Sequence, residues 1–214
     1  WLQIRKERPD WVILWGWGVM NATAIKTAQK VGFKRNKIVG NWWAGSEIDT
    51  EAAGGKVAKG YYAATLNLSG SDFKVVQDIK KYVYDKGKAA GAGDQIGTIL
   101  YNRGMFQAIL AAEAVKVAQK MSGKSQITAA DMRVGMENLE VDQAMFTKLG
   151  LPNFAPNLEV SCENHGGAGL VAVQQWNASA KTWSLVSDFK PTDKDVINQL
   201  IAEDSSAYAK ENNI

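Results

Sequence analysis

The sequence predicts an α/β fold built around a parallel sheet. Short apolar segments alternate with helical patterns through the first third of the chain. Parallel strands need a crossover connection, usually a helix, so this alternation indicates neighbours that run in parallel. The predicted strands of this part cover residues 11–15, 37–40 and 60–64.

The first predicted strand carries the strongest local signal. Five apolar residues run from Trp11 to Trp15, which favours a strand buried on both faces. The strand ends on Gly16-Trp17-Gly18, and apolar residues at helical spacing follow over residues 21–31. In open α/β sheets, ligands bind outside the carboxyl ends of the strands. We therefore expect Trp15 and Trp17, which face the same side in an alternating pattern, to line such a crevice.

A second tryptophan pair, Trp42-Trp43, follows the next strand in the same manner. Adjacent residues of an extended chain face opposite ways, so at most one of these two indoles is expected to point into a cleft. Core packing is the alternative for all four tryptophans. After them, Ser46 is expected to cap a short helix that ends near Ala53.

The middle of the chain is predicted to be mostly helical. Apolar spacing indicates helices over residues 71–87, 99–121 and 128–138, the last begun by a capping box at Thr128 and Asp131. A Gly- and Ala-rich loop separates the first two helices.

The last part returns to an α/β pattern. A linker-like passage covers residues 151–157, a hairpin is predicted from strands 170–176 and 182–186, and a final helix covers about 193–210. Two α/β sections with a helical section between them suggest a chain that crosses between lobes. The predicted sections are residues 1–65, 66–150 and 151–214.

Composition excludes several classes of function. The net charge is +3 with no block of Lys or Arg, which disfavours nucleic acid as a partner. A single cysteine, Cys162, excludes an intrachain disulfide. His165 lacks further ligands at metal spacing, so we expect a structural loop histidine and no metal or cofactor. The chain opens without a signal-peptide pattern and within a helix, which suggests a piece of a longer protein.

Several landmarks occur in an order and spacing that resemble one family. The chain resembles the C-terminal part of a periplasmic solute-binding protein of the branched-chain amino-acid ABC importer type. The landmarks are Arg8-Pro9-Asp10 before the first strand, Gln29-Lys30-Val31-Gly32-Phe33, Lys59-Gly60-Tyr61, Tyr101-Asn102-Arg103-Gly104, Asn164-His165-Gly166-Gly167 and Val173-Gln174-Gln175-Trp176.

The resemblance implies a two-lobed, Rossmann-like architecture of the type I periplasmic binding proteins, present here as an incomplete C-terminal part. Residues 1–65 and 151–214 would belong to the second lobe, and residues 66–150 to the first. It also implies a non-enzymatic, periplasmic protein that binds a small molecule, is monomeric when intact and works with the membrane permease of an ABC importer.

The family's ligand positions map onto particular residues of this chain. The resemblance places second-lobe contacts at Trp15, Gly16 and Trp17, and amino-acid binders carry an acidic residue where this chain has Asn41, Trp42 or Trp43. From the first lobe, Tyr101 is a family contact position, and Arg103 has the chemistry to pair with a carboxylate.

The absent acid favours an aromatic or other hydrophobic carboxylate as the ligand. A branched-chain or other amino acid is the alternative within the family. A ligand-sensing receptor domain is a second alternative, and a Rossmann-like enzyme a third, although the sequence shows no catalytic constellation.

Overall fold

The computed structural model describes residues 1–214 and contains eight strands. They are β1 (Val12–Leu14), β2 (Ile38–Gly40), β3 (Tyr62–Thr65), β4 (Glu140–Val141), β5 (Leu158–Glu159), β6 (Leu170–Asn177), β7 (Thr182–Leu185) and β8 (Lys190–Pro191). Eight α-helices accompany them. They are α1 (Leu2–Glu7), α2 (Val19–Lys30), α3 (Glu47–Ala52), α4 (Lys74–Ile79), α5 (Ile99–Ser122), α6 (Ala129–Met136), α7 (Gln143–Lys148) and α8 (Lys194–Asn212).

The predicted α/β fold is confirmed, and the first three strands of the main sheet are parallel, as expected. The main sheet has the order β1-β2-β3-β6-β7, and β8 pairs with β6. The pairs β1–β2 and β2–β3 are parallel, and helices α2 and α3 connect them. Strand β6 then joins β3 in an antiparallel sense and forms a hairpin with β7, as predicted.

Strand β1 is not buried on both faces, so that prediction is wrong. Val12 and Leu14 pack against the core, whereas Ile13 is 77% exposed and Trp11 49% exposed. The physical reason is position, because β1 is the edge strand of the sheet and only one of its faces is covered. The apolar run therefore predicts a strand, but it does not predict whether one or both faces of that strand are covered by other elements.

The sheet core lies between the covered face of the sheet and helices α2 and α3. Trp176 on β6 is opposite Trp183 on β7, and its Nε1 donates to the Gly55 carbonyl oxygen at 3.0 Å. The buried members of this core are Ala22, Ile25, Ala28, Ile38, Ala53, Ala58, Tyr61, Ala63, Trp176 and Trp183.

A second, helical core lies where α5 and α6 pack together beside the small β4–β5 sheet. The predicted capping box at the start of α6 is present, with Thr128 and Asp131 bonding each other's backbone N–H. The predicted helix over residues 71–87 divides into α4 and a π-helical turn over residues 80–84. The buried members of this core are Ala114, Leu139, Val141, Phe146, Leu151, Phe154 and Ala155.

The final helix predicted over about 193–210 is α8, and the Asp193 side chain caps its start. None of its residues is buried. No helix of the structure combines the length and the apolar character that crossing a membrane requires.

Candidate functional site

The carboxyl ends of β1 and β2 meet at one edge of the sheet. Leu14 is paired with Gly40, and the Asn41 N–H donates to the Leu14 carbonyl oxygen at 3.0 Å. This register brings the segment after β1, Trp15-Gly16-Trp17, beside the segment after β2, Asn41-Trp42-Trp43. The two tryptophan-bearing tips therefore share one edge, where open α/β sheets hold their ligands.

Trp42 and Trp43 do not face opposite ways, which corrects the expectation from the sequence. The chain leaves the extended conformation at Asn41 and forms a 3-10 turn over Trp42–Ala44. The Asn41 side chain caps this turn by accepting from the Trp43 N–H at 3.1 Å. Because the turn replaces the extended geometry, the two rings overlap with centroids 4.0 Å apart.

Four side chains form a continuous stack, which we call the aromatic stack. Trp17 lies 4.7 Å from Trp43, Trp43 lies 4.0 Å from Trp42, and the guanidinium carbon of Arg103 lies 4.8 Å from the Trp42 ring centroid. The tilted aromatic pairs and the cation over an indole face are both favourable arrangements. The stack joins residues after β1 and β2 to helix α5.

Asn21 supports the segment after β2 from beneath, and this residue was not predicted from the sequence. This residue of α2 is fully buried, and its Nδ2 donates to the Trp43 carbonyl oxygen and to Asp49 Oδ2, both at 3.1 Å. Its Oδ1 is buried without a hydrogen-bond partner. A Cβ at Gly16 would lie 2.1 Å from that oxygen. Gly16 therefore has a steric role, since any side chain there would displace Asn21.

Asp49 completes this support. The Ser46 hydroxyl donates to Asp49 Oδ2 at 2.8 Å, and the Ser46 side chain caps α3 as predicted. Burial raises the pKa of Asp49, while the hydrogen bonds from Ser46 and Asn21 oppose the rise. The sequence predicted the Ser46 cap, whereas the only sign of Asn21 was a lone asparagine among apolar residues of a predicted helix.

Arg103 has an unusual environment. Its Nε, Nη1 and Nη2 are shielded from solvent, and none of them has a hydrogen-bond partner. Burial lowers the pKa of Arg103, and the nearby Glu47 carboxylate opposes this. A guanidinium remains protonated under all ordinary conditions, so the site holds a desolvated positive charge without an acceptor.

Glu47 is the nearest carboxylate, but it is engaged elsewhere. Its Oε2 accepts from the Ile99 N–H at 3.0 Å, at the first residue of α5. Burial raises the pKa of Glu47, and the bond from Ile99 opposes the rise, as Arg103 does more weakly.

A cavity of about 370 Å³ opens beside Trp42 and Arg103. Its walls come from the strand ends of the sheet, from helix α5 and from the segments that connect the two cores. The lining is mostly apolar: Trp42, Leu66, Asn67, Arg103, Phe106, Gln107, Leu110, Ala155, Pro156, Leu158, Gly166, Ala168, Gly169, Leu170, Val171 and Thr192.

Three of the predicted contact residues, Trp15, Gly16 and Tyr101, belong neither to the aromatic stack nor to the cavity lining. Trp15 is 79% exposed and lies outside both the aromatic stack and the cavity lining. Tyr101 lies in a separate apolar groove with Met105 and Ile109, because residues two apart on a helix point to different sides and Arg103 faces the cavity. Burial raises the pKa of Tyr101 to about 12, with the Tyr84 hydroxyl contributing.

His165 and Cys162 are exposed loop residues. His165 Nε2 lies 3.4 Å from Glu137 Oε1. No group of three or more His, Cys, Asp or Glu side chains is placed to hold a metal ion.

Comparison with known proteins identifies relatives. The family model described as periplasmic binding protein matches residues 1–181. A comparison with curated sequences finds no significant match. Among solved structures, one described as an ABC transporter permease from the Pseudomonas fluorescens group is 38% identical, with a TM-score of 0.89 over 100% of this chain and 51% of its own.

More distant structures share the fold. A branched-chain amino acid ABC transporter from Thermus thermophilus with bound valine is 18% identical, with a TM-score of 0.70 over 90% of this chain and 48% of its own. A solute-binding protein from R. palustris in complex with benzoate is 13% identical, with a TM-score of 0.58 over 90% of this chain and 47% of its own.

The chain thus spans about half the length of these structures. The family match extends from the first residue to the turn that follows β6, and the described α/β topology agrees with it. The chain belongs to the periplasmic binding protein family and has the fold of its type I members.

Proposed function

We propose that this chain is part of a periplasmic solute-binding protein that captures a small carboxylate with a flat apolar body. The protein delivers this solute to the membrane permease of an ABC importer. The single observation that carries the proposal is the desolvated guanidinium of Arg103, which lies over Trp42 and has no hydrogen-bond partner.

A ligand carboxylate would supply the acceptors that Arg103 lacks. A buried charge without a partner is costly, whereas a guanidinium and a carboxylate form two parallel hydrogen bonds. Glu47 does not serve as that acceptor, because no hydrogen bond joins its carboxylate to Arg103. The arrangement is therefore complementary to an anionic group that comes from outside the chain.

The surroundings of Arg103 favour an apolar body on the ligand. The cavity of about 370 Å³ has Trp42, Phe106 and Leu170 in its lining, and its size suits a small ring. Aromatic contacts add about 0.5–1.5 kcal/mol beyond the area they bury. Benzoate in the R. palustris relative is a precedent for such a ligand in this fold.

Capture is proposed to occur by lobe closure. The cavity is lined by residues from both cores: Trp42 follows β2 of the main sheet, and Arg103 lies on α5 of the helical core. A ligand that touches both sides stabilises the closed arrangement through its higher affinity for that state. Binding, not turnover, is the proposed activity, and sustained chemical conversion of a bound carboxylate would contradict it.

Branched-chain amino acids are the second candidate ligand. The structure from Thermus thermophilus with bound valine favours them, since it shares this fold over most of the chain. Such a ligand needs an acceptor for its ammonium group, and Trp42 and Trp43 occupy the positions where the resemblance implies an acid.

A ligand-sensing domain of a receptor is the alternative to a transport protein. The same lobes in a receptor would sense the solute rather than transport it.

Calorimetric titration of the protein at its full natural length tests the proposal. Benzoate and phenylacetate are expected to bind, whereas benzamide, which has the same ring without the charge, is expected to bind at least tenfold more weakly. Arg103→Gln is expected to weaken benzoate binding by about 2–3 kcal/mol, the worth of a charge-assisted bidentate pair.

Arg133→Gln is the matched control, because Arg133 also lies on a helix but is exposed and paired with Glu137 at 2.9 Å. It is expected to leave the affinity unchanged. Binding of valine or leucine with no response to either aromatic acid would refute the ligand assignment. Equal affinity for benzoate and benzamide would refute the role of Arg103.

A further inference from the structure

Helix α5 lacks an acidic residue in its own first turn. The start of a helix carries unpaired N–H groups and a partial positive charge, and both favour a carboxylate there. Thr98 caps the helix by accepting from the Tyr101 N–H at 3.3 Å, which leaves the N–H of Ile99 to be satisfied. Ile99 is fully buried, so water does not reach it from bulk solvent.

Glu47 provides the missing carboxylate from a different part of the molecule. It is separated from Ile99 by 52 residues and begins α3, a helix beside the sheet core. Its Oε2 accepts from the Ile99 N–H at 3.0 Å. The other acid in the first turn of α3, Asp49, is bonded to Asn21 and Ser46, so the two carboxylates have separate roles.

The contact lies next to the proposed ligand anchor. Arg103 is one helical turn after Ile99 on α5, and its charge attracts the Glu47 carboxylate without a hydrogen bond between them. Two direct contacts therefore link the strand-end side to α5: Trp42 under Arg103, and Glu47 at Ile99. A shift of α5 away from α3 would break both together.

We propose that Glu47 is a positioning residue that clasps α5 to α3 and so sets where Arg103 faces the cavity. The clasp favours the closed arrangement before ligand arrives, and it slows the release of a ligand held by Arg103. The second half of this inference rests on the proposed function; the first half does not. The clasp is one hydrogen bond assisted by charge, which corresponds to about tenfold in the closure equilibrium.

A distance measurement without ligand tests the clasp alone. Spin labels at Lys56→Cys and Lys120→Cys report the separation of the two sides, in a Cys162→Ser background because Cys162 is a free exposed thiol. The full-length protein is expected to show mainly the shorter distance. Glu47→Ala is expected to move a large share of molecules to a longer one, and Glu47→Gln, which keeps an acceptor oxygen, to give a smaller change.

Glu51→Ala is the matched control. Glu51 lies on the same helix but is exposed and faces Lys181 at 3.4 Å, so its removal is expected to leave the distances unchanged. If Glu47→Ala gives the wild-type distances, or if Glu51→Ala opens the protein as much, the clasp is refuted. If Glu47→Ala does not fold, the distances in Glu47→Gln are compared with those of wild type and Glu51→Ala. Distances in Glu47→Gln equal to those of wild type would then refute the clasp.

Stopped-flow tryptophan fluorescence with benzoate tests the effect on release. Glu47→Ala is expected to raise the dissociation rate about tenfold and to change the association rate by less than about twofold. A fall in the association rate alone would contradict a clasp. If benzoate fails to bind the wild-type protein while Glu47→Ala still lengthens the distance, the proposed ligand is wrong and the clasp stands.

Discussion

Replacing Gly16 with alanine is expected to destabilise the protein through one buried contact. The new Cβ would lie 2.1 Å from Asn21 Oδ1 and 3.3 Å from Asn21 Cγ. Asn21 is fully buried and has nowhere to move without leaving its two acceptors, the Trp43 carbonyl oxygen and Asp49.

The size of the effect follows from those two hydrogen bonds. The bond to Asp49 involves a charged partner and is worth about 1.5–3 kcal/mol, and the bond to the Trp43 carbonyl about 0.5–1.5 kcal/mol. Losing both gives an expected decrease of about 2–4.5 kcal/mol in the free energy of unfolding.

Urea unfolding followed by tryptophan emission measures this decrease. The wild-type emission also reports the aromatic stack, since Trp43 is held by Asn21. Gly104→Ala is the control, because a Cβ there meets no atom within 4 Å and lies inside α5. It is expected to add up to about 1 kcal/mol of stability. A Gly16→Ala protein within about 0.5 kcal/mol of wild type would refute the close-contact reasoning.

Three further outcomes are expected. Phe146→Ala removes a fully buried ring of the helical core. We expect it to lower the free energy of unfolding, measured with a chemical denaturant, by about 3–5 kcal/mol, and a change near zero would contradict the burial. Trp42→Ala is expected to weaken benzoate binding about tenfold by calorimetry, and an unchanged affinity would contradict stacking. Hydrogen bonds from Thr128 and Lys124 lower the pKa of Asp131 to about 2, so Asp131 stabilises the folded state above its unfolded pKa. That stability is lost as pH falls towards 2; Asp131→Asn should lower the melting temperature at pH 7 and not at pH 2.

Local signals in the sequence predicted the elements well. The Ser46 cap and the Thr128 capping box are each found where a polar side chain precedes a helical pattern. The hairpin was predictable because a short polar turn separates two alternating segments, and Asn177 does organise that turn by accepting from two backbone N–H groups. These caps and the hairpin depend on a few neighbouring residues, so a single sequence is enough to predict them.

The exposed face of β1 was not predictable, because it depends on which layers cover an edge strand. The overlap of Trp42 and Trp43 depends on a turn that Asn41 starts, and an asparagine before two indoles was the available signal. The different surroundings of Tyr101 and Arg103 follow from helical geometry alone, since residues two positions apart on a helix point in directions about 200° apart. The supporting role of Asn21 was not predictable from local sequence, because its hydrogen-bond partners lie 22 and 28 residues away along the chain.

A crystal structure of the full-length protein with benzoate would show whether Arg103 anchors the ligand. We expect both carboxylate oxygens of benzoate within hydrogen-bond distance of Arg103, the ring against Trp42, and Glu47 still bonded to the Ile99 N–H. Benzoate bound with its carboxylate on other groups, and Arg103 still without an acceptor, would refute the proposed role of Arg103.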